Sequence, residues 1–127
     1  MSATVAAFNA LKKTMDSYSP IGAETWQKFI DICTYRELKK HQVLYPLGEI
    51  PPSFAFVHSG LFRTFITDEN GNEYNKNFFY EGTFPGSMTA LLRHEPSHFA
   101  IVALEPAQIL EIDFPAYGSL LNALDDL

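Results

Sequence analysis

The chain has 127 residues, of which 46% are hydrophobic and 14% aromatic, and its formal net charge is −6. This length suffices for one domain with a real core, and such a composition is untypical of a disordered segment. The acidic balance argues against the chain gripping a nucleic-acid backbone by itself, because that kind of binding needs clustered lysines and arginines.

Two short amphipathic helices are predicted over about residues 1–34. The apolar face of the first is marked by residues at three- and four-residue spacing, namely Phe8, Leu11 and Met15. Ser19-Pro20 and Gly22 are expected to break it. The second helix, marked by Trp26 and Phe29, is expected to reach Cys33, which we interpret as a small core residue rather than a reactive thiol. Because Cys33 is the only cysteine, no intrachain disulfide can form, and this favours a reducing, cytoplasmic location.

From about residue 35 to residue 113, short aromatic and β-branched runs alternate with Gly, Pro and Asn, which indicates an antiparallel β-roll or barrel. The predicted strands lie at 43–45, 54–57, 61–67, 74–80, 99–104 and 108–113. Asn70-Gly71 predicts a hairpin turn, because a type I′ turn needs positive φ at both central residues. A last helix is expected over about residues 114–127, with Leu120, Leu121 and Leu124 after Pro115.

Three segments bear on the function. They are Val57-His58-Ser59-Gly60-Leu61-Phe62-Arg63, the turn from Asp68 to Glu73, and Phe84-Pro85-Gly86 leading into a short helix and then a strand. Their order and spacing resemble the cyclic-nucleotide-binding domain of Crp/Fnr-type bacterial transcription regulators, over about residues 35–127. The resemblance implies a mainly β fold, a jelly-roll β-barrel (double-stranded β-helix) with flanking helices, as one domain over residues 1–127. It also places Gly86 at the start of the phosphate-binding cassette of the family.

The cassette departs from the family at the two positions that carry charge. In the cyclic-AMP binders of the family, a Glu follows the glycine and accepts from the ribose hydroxyl, and a later Arg pairs with the cyclic phosphate. On this alignment those positions are Ser87 and Ser97, and His98 comes next. A serine supplies no charge, and losing a buried charged partner costs about 2–5 kcal/mol at an interface. The resemblance therefore implies a degenerate cassette that does not bind cyclic AMP in the usual way.

The candidate ligand-binding residues surround this cassette. We place a ligand against the helix side and the strand opposite it, formed by Gly86, Ser87, Met88, Thr89, Ser97 and His98. Free N–H groups at a helix start favour an anion, so the expected effector is a small anion, a cyclic nucleotide being one example. His98 could restore positive charge, because the pKa of an imidazole is about 6.5, or its ring could simply lie at the surface. We predict no catalytic residue, resident cofactor or metal.

Residues 94–98 match a zinc-binding pattern in sequence. His94-Glu95-Pro96-Ser97-His98 matches H-E-x-x-H, which works only where both histidines share one face of a continuous helix. Pro96 lies between them and disfavours helix at the residue before it, so we reject a catalytic zinc site. Two alternatives stay open. One is a metal-dependent, cupin-like jelly-roll enzyme using His94 or His98, and the other is a ligand-free structural dimerisation module.

The function predicted from the resemblance is a non-enzymatic effector-sensing and dimerisation domain of a Crp/Fnr-type regulator. In that family, a long helix after the barrel pairs two subunits and leads to a helix-turn-helix that reads DNA. No helix-turn-helix is present in these 127 residues. We therefore expect homodimer formation through the C-terminal helix of the intact protein, and DNA contact only through a C-terminal segment absent here. No apolar run approaches 18 residues and no export leader opens the chain, so no membrane contact is expected.

Overall fold

The elements follow one another as two helices, five strands, a short helix, two strands and a last helix in the part of the chain that the structure describes. The computed structural model describes residues 2–67, 70 and 73–123. The elements are α1 (Ala3–Tyr18), α2 (Ala23–Ile30), β1 (Cys33–Leu38), β2 (Val43–Tyr45), β3 (Ser53–Ser59), β4 (Phe62–Thr67), β5 (Glu73–Phe79), α3 (Met88–Arg93), β6 (Ala100–Ala103), β7 (Ala107–Asp113) and α4 (Phe114–Ala123). In these ranges, no helix has both the length and the apolar content needed to cross a bilayer.

The strands form two antiparallel sheets. One has the strand order β1-β7-β3 and the other has the order β2-β6-β4-β5. In the first, Leu110 of the central strand β7 lies opposite both Tyr35 in β1 and Phe56 in β3. The prediction of a mainly β fold made of antiparallel sheets with a few helices is therefore confirmed.

Most of the three-stranded sheet is covered on both faces, although Thr34 and Glu37 of its edge strand β1 are exposed. Its inner face joins the four-stranded sheet in what we call the inner cluster, which includes Ala55, Val57, Ile109, Phe62 and Ile101. Its outer face packs against the helices in the outer cluster, which includes Phe54, Phe56, Leu110, Leu11, Trp26 and Phe29. Successive side chains of a strand point to opposite faces, so a strand covered on both sides is apolar at every position. This explains the unbroken run Phe54–Val57 in β3.

The corner between α1 and α2 lies where the sequence predicts it. Helix α1 ends at Tyr18, and the backbone N–H of Ile21 donates to Oδ1 of Asp16 at 2.9 Å. The Lys12 ammonium donates to the other carboxylate oxygen at 2.7 Å. Both bonds lower the pKa of Asp16, and the bond from Lys12 has the larger effect. The carboxylate thus ties the end of α1 to the segment that leads into α2.

The predicted end of the second helix is wrong. Helix α2 stops at Ile30, and Cys33 begins β1, where it lies opposite Ile112 of β7. Pairing with β7 over all six residues of β1 overrides the helical spacing of the apolar residues, because tertiary contacts outweigh a weak local preference. Cys33 still packs against the outer cluster, as expected of a core residue, and its thiol donates to the carbonyl of Phe29 at 3.3 Å. Burial raises the pKa of this thiol to about 12.

The β4–β5 hairpin and the last helix agree with the sequence. Strands β4 and β5 pair in antiparallel fashion, with Thr67 opposite Glu73. The predicted turn at Asn70-Gly71 involves residues 68, 69, 71 and 72, which lie outside the described residues. Helix α4 begins at Phe114 with Pro115 in its first turn, a position that tolerates the missing N–H. Leu124, also assigned to this helix, lies outside the described residues.

Candidate effector site

The segment leading into the cassette runs along the outer edge of β3. The N–H of Val57 donates to the Thr83 carbonyl at 3.0 Å, and the N–H of Ala55 donates to the Pro85 carbonyl at 2.9 Å. The N–H of Gly82 returns a bond to the Val57 carbonyl at 2.9 Å. These bonds pair an edge that would otherwise be open, and they fix the position at which the cassette starts.

Gly86 allows the cassette to touch β3. A Cβ atom added at this residue would lie 2.9 Å from Cβ of Phe54 and 3.5 Å from its Cα. A separation below about 3 Å is far inside van der Waals contact, so only glycine fits without a shift of the backbone. The structure therefore supplies a packing reason for this glycine that is independent of any ligand.

Ser87 is the N-cap of α3. Its hydroxyl accepts from the N–H of Ala90 at 3.3 Å, and its carbonyl accepts from the N–H of Leu91 at 2.9 Å. The residue is only 9% exposed, whereas Met88 is 52% exposed and Thr89 is exposed as well. The hydroxyl assigned to a ligand thus already satisfies one of the free N–H groups of this six-residue helix.

Ser97 is also committed to the protein. It is 4% exposed, and its hydroxyl donates to the Phe99 carbonyl at 2.7 Å while accepting from the Phe99 N–H at 3.3 Å. Its backbone N–H donates to the Glu49 carbonyl, and its carbonyl accepts from the Gly48 N–H, both at 2.9 Å. The neighbouring His98 is exposed. The fold therefore turns the Ser97 hydroxyl toward its own loop and leaves the imidazole at the surface.

The apparent zinc motif is interrupted at its first residue. Helix α3 ends at Arg93, and His94 takes a left-handed conformation with φ of 53°. The N–H groups of His94 and Glu95 both point to the Ala90 carbonyl, which closes the helix. The prediction that no continuous helix runs through both histidines is confirmed. Within the described ranges, no group of three or more His, Cys, Asp or Glu residues could hold a metal ion.

A cavity of about 400 Å³ lies between the cassette and the helices, and we call it the aromatic cavity. Gly86 lies on its wall, and the side chains that form it are Met15, Phe29, Phe54, Phe84, Met88 and Tyr117. The Phe54 and Tyr117 rings meet edge to face, with centroids 5.2 Å apart. No local sequence pattern predicts this site, because its rings come from α2, β3, the cassette and α4. Of the predicted site residues, it includes only Gly86 and Met88.

A polar network that the sequence did not predict lies on the inner face of the three-stranded sheet, across the sheet from the aromatic cavity. Glu111 of β7 accepts from the Arg36 guanidinium and, at 2.7 Å, from the Ser53 hydroxyl. Tyr45 of β2 hydrogen-bonds to the same hydroxyl at 2.9 Å, and burial raises the pKa of its phenol. This network joins β2 of one sheet to three strands of the other. Only the strand register reveals it, because Arg36 and Glu111 are far apart in sequence.

The comparisons with known proteins agree with this geometry. The family model of the cyclic nucleotide-binding domain matches residues 35–123. A candidate cyclic nucleotide binding protein from Ruegeria pomeroyi is 19% identical, with a TM-score of 0.81 over 96% of this chain and 53% of that one. The Thermus thermophilus catabolite activator protein is 21% identical, with a TM-score of 0.73 over 85% of this chain and 50% of that one.

A third similar structure is a sensor domain. The sensor domain of the transcriptional regulator DNR from Pseudomonas aeruginosa is 17% identical, with a TM-score of 0.77 over 91% of this chain and 79% of that one. No curated protein matches the sequence. The chain spans about half the length of the first two structures. The family resemblance predicted from the sequence is confirmed.

Proposed function

Because the chain belongs to the cyclic nucleotide-binding domain family, we propose that it is the non-enzymatic effector-sensing and dimerisation domain of a Crp/Fnr-type transcription regulator. The likeness in fold to the catabolite activator protein and to the DNR sensor domain supports this proposal. The intact regulator acts in the cytoplasm as a homodimer paired through α4 and its continuation, and a C-terminal segment outside this chain contacts DNA. The two sheets form the jelly roll of the family, which the shared inner cluster supports.

The cassette of this domain does not recognise cyclic AMP in the usual way. The observation that carries this step is that the Ser97 hydroxyl both donates and accepts within the protein, while the Ser87 hydroxyl accepts from the Ala90 N–H as the N-cap of α3. Charged donors bind a phosphate more tightly than neutral ones do, because a charge-assisted hydrogen bond is roughly twice as strong. The absence of a charge at these two positions weakens binding by about 2–5 kcal/mol, a factor of roughly 30 to several thousand.

Thermal unfolding with and without millimolar cyclic AMP tests this proposal. We expect no shift for the wild-type chain and a clear shift for the variant Ser87→Glu/Ser97→Arg, which supplies both charges. A ligand at 100 times its Kd stabilises the folded state by about 2.7 kcal/mol, or roughly 10 °C for a domain of this size. The matched control is Ser17→Glu/Ser119→Arg, which makes the same changes at exposed positions of α1 and α4.

Each part of the proposal has a result that contradicts it. A shift of the wild-type chain with cyclic AMP would show that the serines suffice. A folded double variant without a shift would contradict the alignment of Ser87 and Ser97 with the charged positions. Because Ser97 is buried, Ser87→Glu/His98→Arg serves in its place if circular dichroism shows the first variant to be unfolded. Stabilisation by divalent metal ions in the same assay would favour the cupin-like alternative.

A further inference from the structure

The aromatic cavity has the size and the chemistry of a small-molecule site. Its volume of about 400 Å³ lies within the range of roughly 300–1,000 Å³ that is typical of ligand pockets. Among the described residues, no acidic or basic side chain lines it. A charged ligand would therefore lose its hydration there without gaining a partner, whereas an apolar ligand would displace poorly bound water. We propose that the aromatic cavity binds an uncharged aromatic molecule of about two rings.

The arrangement of the wall fits a flat ring. The Phe29 and Tyr117 rings are nearly perpendicular, at 89°, and the Phe54 and Tyr117 rings meet at 77°. The cavity is thus bordered by rings of different orientation, and aromatic groups prefer edge-to-face or offset contacts. Met15 and Met88 complete the wall with unbranched thioethers, which adapt to the outline of a ligand.

The position of the cavity couples a ligand to α4. Gly86 and Met88 belong to the cassette, whereas Tyr117 lies on α4. A ligand in contact with both favours the arrangement of α4 in which those contacts are best, which is a population shift. This second step rests on the proposed function, in which α4 begins the pairing helix. Binding to the cavity does not depend on it.

A fluorescence titration of the whole chain with 6-propionyl-2-(dimethylamino)naphthalene tests the site. This probe is uncharged, has the expected size and emits more strongly in apolar surroundings. The informative variant is Met88→Glu, which puts a carboxylate on the wall of the cavity at an exposed position in the first turn of α3, where an acid suits the helix. Leu92→Glu, one turn further along α3, is the matched control, because Leu92 is 70% exposed and does not line the cavity.

We expect equal affinity for the wild-type chain and Leu92→Glu, and a Kd at least tenfold higher for Met88→Glu. Absence of binding to the wild-type chain would overturn the site, as would equal affinity for the two glutamate variants. Hydrogen exchange over residues 114–123 tests the coupling, which predicts slower exchange with bound probe. Unchanged exchange at saturation would refute the coupling while leaving the site in place. None of these outcomes depends on the response to cyclic AMP.

Discussion

The same substitution at two glycines is expected to change stability in opposite directions. At Gly86, an added methyl group would lie 2.9 Å from Cβ of Phe54 and 3.9 Å from Cδ1 of Leu91. At Gly118, inside α4, an added methyl group meets nothing within 4 Å. Gly86→Ala and Gly118→Ala therefore make the same chemical change in filled surroundings before α3 and in open surroundings inside α4.

The magnitudes follow from packing and chain entropy. Forcing an extra methyl group into a filled space costs typically about 1–3 kcal/mol, while the loss of glycine freedom in the unfolded chain returns about 0.4–1 kcal/mol. The free energy of unfolding of Gly86→Ala should therefore fall by about 1.3 kcal/mol at the middle of these ranges, and by at most about 2.6 kcal/mol. Gly118→Ala should raise it by about 0.5–1 kcal/mol, because alanine suits a helix interior better than glycine does. At roughly 4 °C per kcal/mol, Tm falls by about 5 °C, and by at most about 10 °C, in the first case and rises by about 2–4 °C in the second.

Calorimetric unfolding of both variants beside the wild-type chain measures these shifts, and urea unfolding gives the free energies independently. The reasoning would be refuted if Gly86→Ala raised Tm as Gly118→Ala does. That result would mean that the cassette does not approach β3 as closely as the structure shows. A fall in Tm for both variants would instead contradict the open surroundings of Gly118.

Two further predictions concern the polar network and the cysteine. Glu111→Gln removes the charge that accepts from Arg36 and should lower the free energy of unfolding by about 1–2 kcal/mol, which is the value of a hydrogen bond to a charged group, discounted for partial exposure. Urea unfolding measures this loss beside the control Glu105→Gln, which changes an exposed residue. Equal losses in the two variants would contradict the role of the network. Because burial raises the pKa of the Cys33 thiol to about 12, iodoacetamide at pH 8 should label the folded chain far more slowly than the chain in concentrated urea, as mass spectrometry will show. Equal labelling rates would contradict that burial.

Local signals sufficed for most element positions but not for their pairing. Pro20 and Pro46 end the elements before them, and short apolar runs lie between such turn residues. Both features depend only on neighbouring residues, so the sequence predicts them. The end of α2 was misjudged because Cys33 fits a helical spacing just as well as it fits a strand. The pairing of β1 with β7, whose residues are distant in the sequence, decides that Cys33 belongs to a strand.

The candidate site divides in the same way. The position of the cassette after Gly86 follows from a local motif, and the structure places a short helix there. The Ser87 and Ser97 hydroxyls bond groups only three and two residues further along the chain, so their use is also a local feature, that of an N-cap and of a short serine turn. The aromatic cavity has no local signal, since Met15 and Tyr117 lie at opposite ends of the chain.

Phe54 connects the cassette to α4 through contacts that involve no charged group. Its Cβ atom faces Gly86 of the cassette, and its ring meets the Tyr117 ring at 5.2 Å and the Phe114 ring at 6.5 Å. The next residue, Ala55, is hydrogen-bonded to the Pro85 carbonyl, so the cassette cannot move along β3 without disturbing this packing. A displacement at Gly86 therefore reaches α4 through the direct contacts of Phe54 with the Phe114 and Tyr117 rings, the second of which borders the aromatic cavity. Under the function proposed above, recognition of a phosphate and contact between the cassette and α4 depend on different atoms, so that a loss of the first would leave the second intact.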